Sequence, residues 1–206
     1  MSSHPLASPA IEAVRGFDAA GRHQEAYEAL GLASRQGDVA AMSELGHRLL
    51  VGDRAPKSPQ HAMALLVEAM KSGEPRALAR GAALTAGGVY VQQGWQGALQ
   101  MLGAAATAGD ASARGQLECL QPPGAPSADW GTMAARVPLA EWLQPATPVA
   151  LHENVRHLPG FVPLPVCDWL IRRSEGRLEP AKVYDSVDRK VDVHQMRTNK
   201  MATFDF

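Results

Sequence analysis

Seven histidines (4, 23, 47, 61, 152, 157 and 194) and two cysteines (119 and 167) are the side chains of this 206-residue chain with most to offer as ligands, bases or nucleophiles. Their spacing withholds most of that chemistry. The cysteines form no CxxC or His-Cys arrangement, which suits reduced, buried thiols and not a zinc site or a disulfide framework. His23-Gln24-Glu25 sets an imidazole and a carboxylate two residues apart. The surrounding pattern is helical, however, and side chains two apart on a helix point roughly 200° from one another, so they cannot chelate one ion. His152, His157 and His194 stand in strand or loop patterns, where an isolated histidine is solvated or hydrogen-bonded. Arg172-Arg173 reads as the solvated face of a helix. No Gly-rich phosphate loop, nucleophile elbow or paired catalytic carboxylates occur.

Charge and composition narrow the partners. Twenty Lys plus Arg balance 21 Asp plus Glu, so no chain-wide field draws in nucleic acid or an anionic membrane. The N-terminus has no cationic start followed by an apolar run, so no secretory signal is expected and the default location is the cytoplasm. Between Arg80 and Asp110 lie 29 residues without a formal charge, long enough to cross a bilayer. Seven glycines and four glutamines in that run would be costly in hydrocarbon, which argues against a membrane span.

The elements that must position any site repeat every 36 residues. Gly37-Asp38, Gly73-Glu74 and Gly109-Asp110 share that spacing, as do Ala26, Ala62 and Ala98; Leu30, Leu66 and Leu102; Ala33, Ala69 and Ala105; and Ala41, Ala77 and Ala113. Such a period marks a stacked array. Each repeat reads as two antiparallel helices, the first-type over about 9–20, 39–51, 75–87 and 111–120, the second-type over about 23–36, 60–72 and 95–108. Pro9 and Pro59 suit helix starts, and glycine at 37, 73 and 109 supplies left-handed C-terminal caps.

Ala41-Met42-Ser43-Glu44-Leu45-Gly46, a Gly52-Asp53 turn, then Ala62-Met63-Ala64-Leu65 and Ala69-Met70-Lys71-Ser72-Gly73 resemble the Sel1-like repeat, a relative of the tetratricopeptide repeats. The resemblance covers about residues 9–120. It departs at Gly81-Ala82, where the first-type helix usually has Leu-Gly. It departs also at Ala29, Leu65 and Met101, where an aromatic is often found on the second-type helix. A concave surface for a protein or peptide partner is what the resemblance implies, and the charge balance and the composition of residues 81–109 point to no nucleic acid and no membrane. The domain reading is therefore residues 1–120 as an α-solenoid, 121–150 as a linker and 151–206 as a second domain.

The linker holds six of the chain's 15 prolines, and two amphipathic pieces, DWGTMAARV and LAEWLQ, that should dock through Trp130 and Trp142 on a flanking domain. Beyond it, residues 151–158 alternate like a strand, Val166, Trp169 and Leu170 have helical spacing, and AKVYDS and Lys200–Phe206 again alternate. That order is an α+β beginning. LPGF, the Pro165-Val166-Cys167-Asp168-Trp169-Leu170-Ile171 helix, the Val183-Tyr184-Asp185 strand and the Arg197-Thr198-Asn199 loop before Phe204-Asp205-Phe206 resemble the opening of prolyl 4-hydroxylase-type oxygenases. The resemblance implies a double-stranded β-helix using iron(II), 2-oxoglutarate and ascorbate, with Arg197, Thr198 and Asn199 near the substrate entrance.

In that family the iron sits on His-x-Asp and a distant histidine, two nitrogens and a carboxylate on one face of the metal. No histidine here is followed two residues later by aspartate. The expectation is a chain that carries no cofactor and no catalytic or metal residue of its own, cut off mid-fold, with a loose 151–206 segment. It is then the front of an iron(II)/2-oxoglutarate oxygenase that does not turn over alone, or else a non-enzymatic repeat adaptor for a protein partner.

Overall fold

The computed structural model describes residues 8–122, 124–126, 128–145, 147–185, 190–193 and 199–202. The chain forms two compact units, Met1–Leu139 and Ala140–Phe206. The first contains α1 (Pro9–Ala19), α2 (His23–Arg35), α3 (Val39–Val51), α4 (Pro59–Lys71), α5 (Pro75–Gly87), α6 (Trp95–Thr107), α7 (Ala111–Leu120) and α8 (Trp130–Arg136); a short α9 (Leu139–Trp142) follows. α1 to α7 are the helices that the 36-residue period predicts, each boundary within one residue. Helices pair within a repeat (α1 with α2, α3 with α4, α5 with α6), and α2, α4 and α6 pack on α3, α5 and α7 of the next. The first-type helices also touch in succession, α1 to α3 to α5.

Every repeated alanine and leucine position is interior. Ala41, Ala77 and Ala113 are fully buried, as are Ala26, Ala62, Leu30, Leu66, Ala69 and Ala105, with Ala98, Leu102 and Ala33 close behind. Alanine keeps the helix axes near while leucine fills the remaining volume, and truncating a buried leucine costs about 2–5 kcal/mol. Gly46 shows how near: a Cβ there would lie 2.8 Å from Leu66 Cγ and 3.2 Å from the Ala62 carbonyl oxygen. At Gly81, in the register of Leu45, a Cβ would overlap the Met70 sulfur and lie 3.2 Å from that of Met101. The departure from Leu-Gly is thus filled from α4 and α6 by two adaptable thioethers.

One two-residue turn is used three times. At Gly37, Gly73 and Gly109 the backbone is left-handed, with φ of 89°, 76° and 105°. The next N–H then reaches back to the carbonyl five residues earlier: Asp38 to Ala33, Glu74 to Ala69 and Asp110 to Ala105, at 3.0, 3.0 and 2.9 Å. The acid in that turn starts the following helix, its carboxylate accepting from the N–H of Ala41, Ala77 or Ala113 at 3.0, 2.6 and 2.7 Å. Glycine ends one helix and its neighbour begins the next.

The helical register continues past residue 120, where the sequence reading stops it. Ala134 is 36 residues beyond Ala98 and is buried with Met133 and Val137. Met133 and Ala134 belong to α8, with Val137 just past its end; α8 packs on α6 where Gly103 leaves room, and a Cβ there would meet Ala134 Cβ at 3.0 Å. Gln121 donates to the Met133 carbonyl at 2.9 Å, and Arg114 lies 5.6 Å from the Trp130 ring. The piece around Trp130 is therefore a shortened second-type helix, stopped by Val137-Pro138.

The second unit contains β1 (Val149–His152), β2 (Val155–His157), α10 (Leu164–Ser174), β3 (Glu179–Pro180), β4 (Lys182–Asp185), β5 (Lys190–Val193) and β6 (Lys200–Met201). They form three two-stranded antiparallel ladders, β1 with β2, β3 with β6 and β4 with β5. Residues 151–158 are not one strand: the chain reverses at Glu153-Asn154, a short polar turn that pairs Val149 with His157. The described residues do not assemble the double-stranded β-helix. Ala181 is the one buried residue among those whose burial is described in this unit, while Leu151, Phe161, Leu164 and Ile171 are all more than half exposed. Residues 203–206, the end of the expected closing strand, lie outside the described residues.

Candidate interaction array

Polar side chains in the array are concentrated where the first-type helices cross. Asp18, near the end of α1, accepts from Arg48 of α3 through both oxygens, at 2.5 and 3.3 Å, and forms an ion pair with Arg54 at 3.4 Å. His23 Nδ1 lies 3.1 Å from the same carboxylate. One helical turn before Arg48, Glu44 accepts from its Nε at 3.0 Å and from Arg80 of α5 at 3.3 Å. Arg80 also donates to the Ser43 carbonyl at 2.8 Å and hydroxyl at 2.9 Å. The result is an ion ladder, Asp18–Arg48–Glu44–Arg80, joining three successive repeats.

Its members are largely withdrawn from water, with Arg48 and Arg80 side chains each 7% exposed. Burial alone would raise both carboxyl pKa values. At Glu44 the Arg80 charge and the Arg48 hydrogen bond outweigh it, and at Asp18 the hydrogen bonds with Arg48 and His23 do, so both groups sit below their ordinary range. Burial also disfavours the Arg48 cation, but its two carboxylates push its pKa up. For Arg80 burial wins and the pKa falls, against the pull of Glu44. Both guanidiniums remain charged at neutral pH. No buried side-chain nitrogen or oxygen among the described residues lacks a partner. This ladder aligns helices; it does not hold out a reactive group.

None of these four residues stood out in the sequence reading, although a signal was there. Glu44 and Arg80 are 36 residues apart, and so are Asp18 and Arg54. Opposite charges at one register position of adjacent repeats face each other in a stack.

The other sequence candidates are scattered. His23 is on α2 and bound to Asp18, while His152 and His157 lie on the β1–β2 hairpin. His4, His194, Arg197 and Thr198 lie outside the described residues; Asn199 is described, and its carbonyl accepts from Ala181 N–H at 3.1 Å. Arg173 lies 5.1 Å from the Trp169 ring, so one of the two adjacent arginines stacks on its own helix. Among the described residues no three His, Cys, Asp or Glu side chains converge where they could hold a metal ion. The described donors do not converge as an oxygenase iron site requires. No described helix is long and apolar enough to cross a membrane.

No protein-family model matches the chain, and no curated protein does. Among solved structures the fold is similar to that of the Sel1 repeat protein from Oxalobacter formigenes, with a TM-score of 0.51 and 21% identity. The match covers 63% of this chain and 57% of that one, so the chain spans a little over half the length of that protein. Stacked helix pairs in 36-residue register, with that structural likeness, make the N-terminal unit a helical repeat array of the Sel1 type in fold.

Proposed function

We propose that the protein is a non-enzymatic repeat adaptor whose array presents a surface to a protein or peptide partner. The observation that carries this reading is the stack itself: helix pairs locked in register by interior alanines and a buried ion ladder, in a Sel1-type fold. Such a stack is rigid before its ligand arrives, and preorganisation lowers the entropy cost of binding. Panning a random peptide library displayed on phage against the full chain tests it. Selected peptides should bind the full chain and residues 1–139 with the same affinity. Failure to select any binding peptide counts against the adaptor.

A second reading takes residues 151–206 as the opening of a prolyl 4-hydroxylase-type domain. It is supported by element order, since α10 and β4 fall on the helix and the Val183-Tyr184-Asp185 strand of the resemblance. On this reading Arg197, Thr198 and Asn199 border a substrate entrance. Iron(II), 2-oxoglutarate and ascorbate would serve a longer protein whose metal ligands are not among these residues. Calorimetric titration of the chain with iron(II) and 2-oxoglutarate should show no uptake, and micromolar binding of both would contradict the reading. A downstream coding sequence with His-x-Asp, then a later histidine and a basic residue, would favour it over the adaptor.

A further inference from the structure

The turn between α5 and α6 has an internal control one repeat upstream. After α3 the chain passes through Gly52 (φ 79°) and Arg54 (φ 53°), and Ser58 N–H closes on the Leu49 carbonyl at 2.8 Å. After α5 it passes through Gly88 (φ 66°) and Tyr90 (φ 60°), and Gly94 N–H closes on the Thr85 carbonyl at 3.0 Å. Every landmark is displaced by 36 residues. The backbone is the same turn; the side chains are not.

Upstream the turn carries Asp53, Arg54 and Ala55, with Pro59 opening the helix; downstream the same positions hold Val89, Tyr90, Val91 and Trp95. Arg54 is engaged with Asp18, whereas Val89, Tyr90, Val91 and Trp95 are 46, 54, 37 and 39% exposed. Since charged residues close this turn equally well, the fold does not require apolar ones. A tyrosine in the left-handed region is also strained by about 1–2 kcal/mol. Exposed apolar clusters of this kind mark contact sites.

Charge identifies the occupant. No residue from 81 to 109 carries a formal charge, so a charged ligand would lose hydration here with no ion pair in return. A neutral segment loses nothing comparable. Tyrosine and tryptophan each present a flat apolar face and one hydrogen-bonding group, the combination that anchors peptide main chains.

We propose that the α5–α6 turn is a docking site for an uncharged, apolar segment of a protein partner, with Tyr90 and Trp95 as the aromatic contacts. The proposal rests on the adaptor reading and narrows it to one edge of the array and one ligand chemistry.

The test replaces the turn with its upstream counterpart in the full chain: Val89→Asp, Tyr90→Arg, Val91→Ala and Trp95→Pro. A second variant, Tyr90→Gly, removes the ring while relieving the left-handed strain, so lost binding there cannot be put down to misfolding. Peptides selected from the random library on the parent chain are titrated against all three proteins by calorimetry, with thermal melts alongside. Selected peptides should be uncharged and apolar, and should bind the grafted chain at least about tenfold more weakly and Tyr90→Gly several-fold more weakly. Peptides that are charged, or that bind the graft as tightly as the parent, overturn the proposal and leave the adaptor standing. Selection of no peptide removes both. Graft-sensitive self-association in sedimentation velocity, or graft-sensitive cosedimentation with phosphatidylcholine vesicles, in place of peptide binding would overturn it in favour of a second copy or lipid.

Discussion

At Glu44 two guanidinium groups from different helices meet one carboxylate, and the cost of that arrangement is visible only when it is broken. Removing one partner of a buried ion pair leaves an uncompensated charge, at about 3–5 kcal/mol, although replacing the whole group by apolar residues is often neutral. Glu44→Gln should therefore lower stability by several times more than Glu25→Gln, whose pair with Arg22 is exposed; urea unfolding of the two variants checks it. Because the folded-state pKa values of Asp18 and Glu44 are depressed, their contribution is present above their unfolded values, about pH 4. It disappears as the pH falls through the lower folded values. Melting temperature should thus fall on acidification below about pH 4, and Asp18→Asn with Glu44→Gln should flatten that limb; an unchanged acid limb would contradict the assignment.

At the scale of elements, the turns and the close crossings decide the fold. Asp110→Ala removes the carboxylate that accepts from Ala113 N–H and should destabilise by about 0.5–2 kcal/mol. Gly46→Ala forces a methyl onto Leu66 and should cost about 1–3 kcal/mol. Denaturant midpoints measure both. The helices were legible because alanine, leucine and glycine recur at fixed places, and each such place is interior or in a turn. The acids beside those glycines shared the period, but capping depends on a side-chain geometry that spacing does not state. Ala134 continued the period too, yet Pro122, Pro123 and Pro126 interrupt the approach to α8 and conceal it. The hairpin at 149–157 was hidden differently: alternation specifies strands without saying where a chain reverses, and Glu153-Asn154 is a weak turn signal. The ion ladder escaped because an isolated charge in a helical pattern reads as solvent-facing; only comparison across 36 residues pairs Glu44 with Arg80.

At the scale of the molecule, the two units differ in how far they can stand alone. The array buries leucines and alanines in every repeat, whereas the described part of the C-terminal unit leaves most of its large apolar side chains in water. A segment of that size has little core to hold it. Residues 1–139 should accordingly unfold cooperatively without the remainder, with a melting temperature close to that of the corresponding transition in the full chain. The adaptor reading adds that whatever the protein binds is held by this unit. The most direct test is to titrate a library-selected peptide against the full chain and against residues 1–139 under the same conditions. Equal dissociation constants are expected. Binding that vanishes with residues 140–206 would place recognition outside the repeats and contradict the account.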